Sequence, residues 1–183
     1  MQYLLNLRMK IIQLLTITMA IITCLVGECD GFNWYHNIDI SDCDLGDITA
    51  LRQFIINSGN SLEMDMDVDL NGAVDILELG WQLWEDGRLI HWICQEVPSP
   101  FYFYEYDCGL SGDIPNEIGN MNALVKLRIQ SNKLTGTIPL SICELDNINA
   151  GSYWFNLENN YLCPPYPDCV EYLMGNQGIT NCK

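Results

Sequence analysis

The stretch LVKLRIQSNKLTGTIP, Leu124 to Pro139, decides how the rest of the chain is read. It sets apolar residues at Leu124, Leu127, Ile129 and Leu134, one Asn at 132, and closes on Gly136, Ile138 and Pro139. Working upstream, CGLSGDIPNEIGNM (108–121) aligns with NKLTGTIPLSICEL (132–145). Leu110 falls on Leu134, Gly112 on Gly136, Ile114 on Ile138, Pro115 on Pro139 and Ile118 on Ile142, each at an offset of 24 residues. Downstream, a third copy starts at NNYLCPP, where Leu162 lies 28 residues beyond Leu134 and the turn carries four extra residues. Repetition at such a period is the mark of supersecondary units that bury their apolar faces against one another.

This unit fits LxxLxLxxNxLxGxIP at every marked position and resembles leucine-rich repeats of plant receptor ectodomains and of exported marine bacterial proteins. The resemblance covers residues 88–183 and implies a coil in which Leu124, Leu127, Ile129 and Leu134 point inward. Asn132 then satisfies buried backbone groups at the turn, and Cys108 takes the same place one repeat earlier. Glu105 on an inward position implies a register shift or bulge there. CPPYPDC replaces the last LxGxIP half and implies a C-terminal cap held by some pairing of Cys143, Cys163, Cys169 and Cys182. The resemblance also implies a concave ligand face bearing Tyr102, Tyr104 and Tyr106, then Lys126, Arg128 and Gln130, then Trp154, Asn156 and Glu158. Tyr, Trp and Arg are the side chains that anchor interfaces.

Few repeats are present, so the coil needs something to cover its open N-terminal end. Residues 28–87 are expected to supply that cover. DITALRQFIINSG predicts a helix with Asp47 as N-cap, Ile48, Leu51, Phe54 and Ile55 on one face, and Gly59 as the stop. DILELGWQLWED (75–86) predicts a second helix, striped by Ile76, Leu79 and Leu83, widened by Trp81 and Trp84, and ended by Gly87. After Arg88 short strands are expected, including LIHWIC and FYFYEY. The fold class expected is therefore α+β: a short leucine-rich-repeat solenoid capped by a helix-loop-helix region.

Between the two expected helices lies DVDLNGAVDILE, residues 67–78. It resembles an EF-hand loop, with Asp67, Asp69, Asn71, Ala73 (through its carbonyl), Asp75 and Glu78 in the ligand places and Gly72 at the sharp turn. Calcium is a hard cation that takes six to eight oxygens, which is the chemistry these residue types provide. The upstream DCDLGDITALRQ (42–53) is at best a degenerate partner loop, with Gln53 where Glu is needed. Dockerin modules similarly follow such a loop with only the exiting helix. The ion expected is calcium in a structural role.

The chain has 183 residues and a formal charge of −16. Nucleic acid is argued against, because phosphate binding needs a basic face. Residues 1–10 carry Arg8 and Lys10 and no acid, and 11–27 are almost wholly apolar, which predicts a signal peptide over 1–27 and a secreted or cell-surface protein. A membrane anchor and lipidation at Cys24 are the alternatives, so membrane contact is expected only through that segment or a lipid. Without 1–27 the chain holds six basic and 24 acidic residues, a charge of −18, and eight cysteines. An even count in an exported chain predicts disulfides, with 105 possible pairings. No CxxC occurs, which argues against structural zinc.

Gly-x-Ser-x-Gly, HExxH and Walker motifs are absent from the sequence, and His36 and His91 each stand alone among aromatics. No enzyme is expected. The reading is an exported interaction module for an extracellular protein or glycan, stabilised by calcium and disulfides. A dockerin-like assembly module is the alternative.

Overall fold

The computed structural model describes residues 29–32, 38–95, 108–148, 151 and 153–182. The expected signal segment and the FYFYEY strand, with Tyr102, Tyr104 and Tyr106, lie outside the described residues. Asp44 opens the single α-helix among them, α1 (Leu45–Ser58), by accepting hydrogen bonds from the Gly46 and Asp47 amides. The cap therefore sits three residues before the expected Asp47. Gly59 ends the helix with φ 53°, as expected. Ile48, Leu51 and Phe54 form the buried face, and the Phe54 ring meets Trp92 edge-on at 4.8 Å. No helix among the described residues is long and apolar enough to cross a membrane.

Residues 75–86 correct the sequence reading. Only a single 3-10 turn, Ile76–Glu78, forms there, and the chain then runs into strand β2 (Trp81–Glu85). Asp86 and Gly87, at φ 50° and 76°, make the two-residue turn into β3 (Arg88–Ile93). That pair of positive angles is the I′ hairpin geometry that Asp-Gly favours. Gly80 blocks a helix from the other end. It sits at φ 69°, and a Cβ there would lie 2.5 Å from the Ile93 carbonyl oxygen. Burial alternates along β2, with Gln82 and Trp84 inside and Trp81 and Leu83 half-exposed. Gln82 is tolerated inside because its amide donates to the Ile76 and Leu79 carbonyls and its oxygen accepts from Trp84 Nε1.

The hairpin is the centre of a mixed sheet. β1 (Gly31–Phe32) pairs antiparallel with β2, while β5 (Lys126–Arg128) joins β3 in parallel and β7 (Phe155–Asn156) joins β5 in parallel. The order is β1-β2-β3-β5-β7. A second ladder of β4 (Ser111–Asp113) and β6 (Lys133–Thr135) pairs consecutive repeats at Gly112 and Leu134.

The expected capped solenoid is overturned by this arrangement. The chain forms a mixed α+β domain with one 14-residue helix on an open, uncurled sheet. Two and a half repeats give parallel ladders of only two or three residues, and the antiparallel hairpin extends the same sheet. The described residues therefore hold too few stacked units to wind into a curved coil.

Within the sheet the repeat residues pack as their spacing suggests. Leu110, Leu124, Leu127, Ile129, Leu134, Leu157 and Leu162 are all fully buried. Asn132 Nδ2 donates to the carbonyls of Cys94, Ile129 and Gln130, and its Oδ1 accepts from the Leu110 amide. Asn160 repeats the arrangement, accepting from Leu134 N and donating to Ile129 O and Leu157 O. Disulfides join Cys29 to Cys43, Cys94 to Cys108, Cys143 to Cys169 and Cys163 to Cys182. The last two bridge the C-terminal stretch in which CPPYPDC replaces the repeat.

Candidate functional site

The acidic loop 67–78 folds around its own carboxylates. Asp67 accepts from the Asn71 amide through Oδ1 at 3.0 Å and from the Gly72 amide through Oδ2 at 2.9 Å. Asp69 accepts from the Asn71 amide and from Asn71 Nδ2, both at 3.0 Å. Glu78 reaches back across the loop, with Oε1 accepting from Val68 N at 2.8 Å and Oε2 from Asp75 N at 2.9 Å. The turn that allows this passes through Leu70 at φ 59° and Gly72 at φ 93°. One carboxylate oxygen from each of Asp67, Asp69 and Glu78 falls within 4.8 Å of the others.

Of the six residues expected to ligate, these three converge. Asn71, Ala73 and Asp75 stay in the same loop. Asn71 Nδ2 donates to Asp75 Oδ2, and Asn71 Oδ1 accepts from Ala73 N. Glu78 sits at the end of a 3-10 turn rather than on the expected exiting helix. Val74, Ile76 and Leu79 are buried, so the loop is pinned to the core, and Trp92 Nε1 donates to the Leu79 carbonyl. The donor set is all oxygen, and among the described residues Asp67 Oδ1, Asp67 Oδ2 and Glu78 Oε2 each accept a single bond, leaving lone pairs for a cation. Oxygen-only donors suit a hard divalent cation rather than zinc or copper.

A second group lies on the outward face of the sheet, opposite the core. Strand alternation puts His91 and Ile93 of β3 beside Lys126 and Arg128 of β5, which are their register partners. Lys126 is buried, with Nζ 4.0 Å above the Tyr153 ring and 5.7 Å from Trp154. Trp81 stacks on His91 at 6.0 Å, and His91 lies 6.3 Å from Trp154. Burial, helped by the Lys126 charge, holds His91 below the usual histidine range. Burial likewise lowers Arg128, with Tyr153 opposing. Among the described residues neither Lys126 nor Arg128 forms an ion pair; the ion pairs there belong to Arg88.

Of the expected face, Lys126, Arg128, Gln130, Trp154, Asn156 and Glu158 share this region of the sheet, whereas Tyr102 and Tyr104 lie outside the described residues. Asn156 is the register partner of Arg128 and accepts from the Glu158 amide. Trp81 and His91 are not part of the face expected from the sequence, where Trp81 belongs to the expected second helix and His91 stands alone among aromatics. Leu89 and Trp92 both point inside because the β2–β3 register shifts at Ile90, so His91 reaches the outward face by a bulge that simple alternation along LIHWI does not reveal.

Residues 123–145 match the family model for the Leucine Rich Repeat. This short motif is present in the chain, and the match stops well short of the acidic loop. No curated protein matches the chain.

Proposed function

We propose that the chain is an exported interaction module whose outward sheet face receives an extracellular protein or glycan, and whose acidic loop holds calcium as a structural ion. The observation that carries this reading is the pairing of Lys126 and Arg128 on one face without a carboxylate partner among the described residues, in a chain of charge −16. A cation on so acidic a protein finds counter-ions easily, and leaving two unpaired on adjacent sites costs stability unless a ligand supplies the anion. Four disulfides support residence in an oxidising compartment. The converged carboxylates of Asp67, Asp69 and Glu78 support calcium, which would offset part of their mutual repulsion.

The test is capture on an array of extracellular proteins and glycans. The combined Lys126→Glu and Arg128→Glu protein should lose ligands that the parent protein binds, at unchanged folding. Equal capture by both proteins would remove the face from consideration.

A second reading, docking to an assembly as dockerins do, is favoured by one feature. A groove of about 920 Å³ runs between α1 and the acidic loop, lined by Ile38, Ile55, Met66, Val68 and Ile76. Exposed Val68 and Leu70 stand on the loop itself. Substituting both with Ser should abolish scaffold capture if this reading holds, and leave it intact otherwise.

A further inference from the structure

Among the described residues, three buried polar atoms on or just past the stretch where β3 and β5 run side by side have no hydrogen-bond partner: Gln95 Oε1, Arg128 Nε and Gln130 Oε1. Gln95 is 2% exposed and Gln130 is 9% exposed. Ile93 pairs with Arg128, so Gln95 and Gln130 each lie two residues beyond a paired position and fall on the same outward side as Arg128. A buried polar atom without a partner costs about 1–3 kcal/mol. Three together on one face make an unspent set of two acceptors and one cationic donor. The core side of the sheet shows the contrast, because there the side chains of Gln82, Asn132 and Asn160 are hydrogen-bonded through both nitrogen and oxygen.

Rings border this set. Trp81, His91, Trp154 and Tyr153 follow one another at centroid separations of 6.0, 6.3 and 5.0 Å. Lys126 is fixed among them by its contact with Tyr153.

We propose that this face is a binding site for an anionic saccharide, a pyranose chain bearing carboxylate or sulfate groups. The anionic group accepts hydrogen bonds from the Arg128 guanidinium, whose planar fork suits either oxyanion. Sugar hydroxyls donate to the Gln95 and Gln130 oxygens. Trp154, set edge to face with Tyr153 and tilted from His91, offers apolar ring surface to the C–H faces of the sugar, and the neighbouring Lys126 adds positive field. An acidic peptide would satisfy the cation, and its backbone N–H groups can donate to the amide acceptors, but it brings no pyranose C–H face for Trp154. This proposal rests on the reading of the sheet face as the binding face and adds the chemistry of the ligand.

The test is tryptophan fluorescence and calorimetric titration of the full chain at low salt. The probes are oligogalacturonate, a sulfated heparin-derived oligosaccharide, a neutral cello-oligosaccharide and an oligoglutamate peptide of matched charge. One or both anionic saccharides should bind, with the first two probes separating carboxylate from sulfate, and the neutral chain should bind at least tenfold more weakly. Arg128→Gln should weaken the anionic saccharide at least tenfold, and Trp154→Ala should weaken saccharide binding of either kind. Lys126→Gln gives a second variant should Arg128→Gln fail to fold, with a loss of several-fold expected. Equal affinity for the neutral chain, equal affinity for oligoglutamate, or no saccharide binding at all would each overturn the proposal. In the oligoglutamate case the face would still be a binding face. Unchanged array capture by the Lys126→Glu and Arg128→Glu protein would instead overturn the broader reading.

Discussion

Arg88 Nε donates to Asp47 Oδ2 at 2.8 Å, and this contact joins the first residue of β3 to the first turn of α1. Asp47 is fully buried and also accepts from the Leu89 amide, while Arg88 continues to the Asn120 carbonyl and Asn122 Oδ1. Burial raises Asp47 above the usual aspartate range, against the pull of Arg88. A carboxyl whose folded-state pKa is raised binds its proton more tightly when folded. Its stabilising contribution is full below the ordinary aspartate value and is lost as pH rises through the folded value. Arg88→Met strands the buried charge and should cost about 3–5 kcal/mol at neutral pH, with much less loss in mild acid. Urea unfolding across that pH range checks this, and a loss independent of pH would show that packing of the Arg88 stem dominates.

Calcium should raise the melting temperature. At a hundredfold excess over the dissociation constant the linkage is worth about 2.7 kcal/mol, enough to move a domain of this size by several degrees. Glu78→Gln should remove most of the rise, since Glu78 closes the loop across Val68 and Asp75. Identical melting curves with calcium and with a chelator would sink the assignment.

How far the sequence carried these sites follows the range of the interactions. The acidic loop was legible because its bonds run between residues at most ten positions apart, from Val68 to Glu78. The repeat was legible for a similar reason: a period of 24 makes Asn132 and Leu134 visible without any knowledge of their neighbours. The second expected helix does not form because Ile76, Leu79 and Leu83 only mimic a helical stripe, while Asp86-Gly87, a strong hairpin signal, also has the residue types of a helix end. The Asp47–Arg88 pair spans 41 residues and leaves no local trace. The sheet face was half legible. Its cations followed from the repeat, but Trp81 and His91 join it only once β2 and β3 are known to pair.

Asn132 should prove one of the most sensitive positions in the core. Its side chain serves the Leu110 amide and the carbonyls of Cys94, Ile129 and Gln130. Asn132→Ala takes this partner from the Leu110 amide and the Cys94 and Gln130 carbonyls, while the Ile129 carbonyl keeps Asn160 Nδ2, and a loss of roughly 2–4 kcal/mol is expected. Asn132→Asp should be comparably damaging, because a carboxylate cannot donate to three carbonyls. Chemical denaturation of the two variants beside Asn160→Ala measures this, and a change below about 1 kcal/mol would mean the carbonyls find other donors.

His91 reports on the electrostatics of the outward face. It is held below the ordinary histidine range first by burial and then by Lys126, with Glu85 opposing. A histidine whose folded value is depressed is more easily protonated in the unfolded chain. Its effect therefore destabilises the fold as pH drops below the ordinary histidine value, and levels off under the folded value. The proton-resonance titration of the ring should show a depressed midpoint. Lys126→Met should raise that midpoint part of the way and no further, since burial against Trp81 and Trp154 persists in the variant. An anion bound at Arg128 adds negative charge beside the ring and should move the midpoint in the same direction as removing Lys126. A midpoint unmoved by both changes would place His91 outside the field of the face.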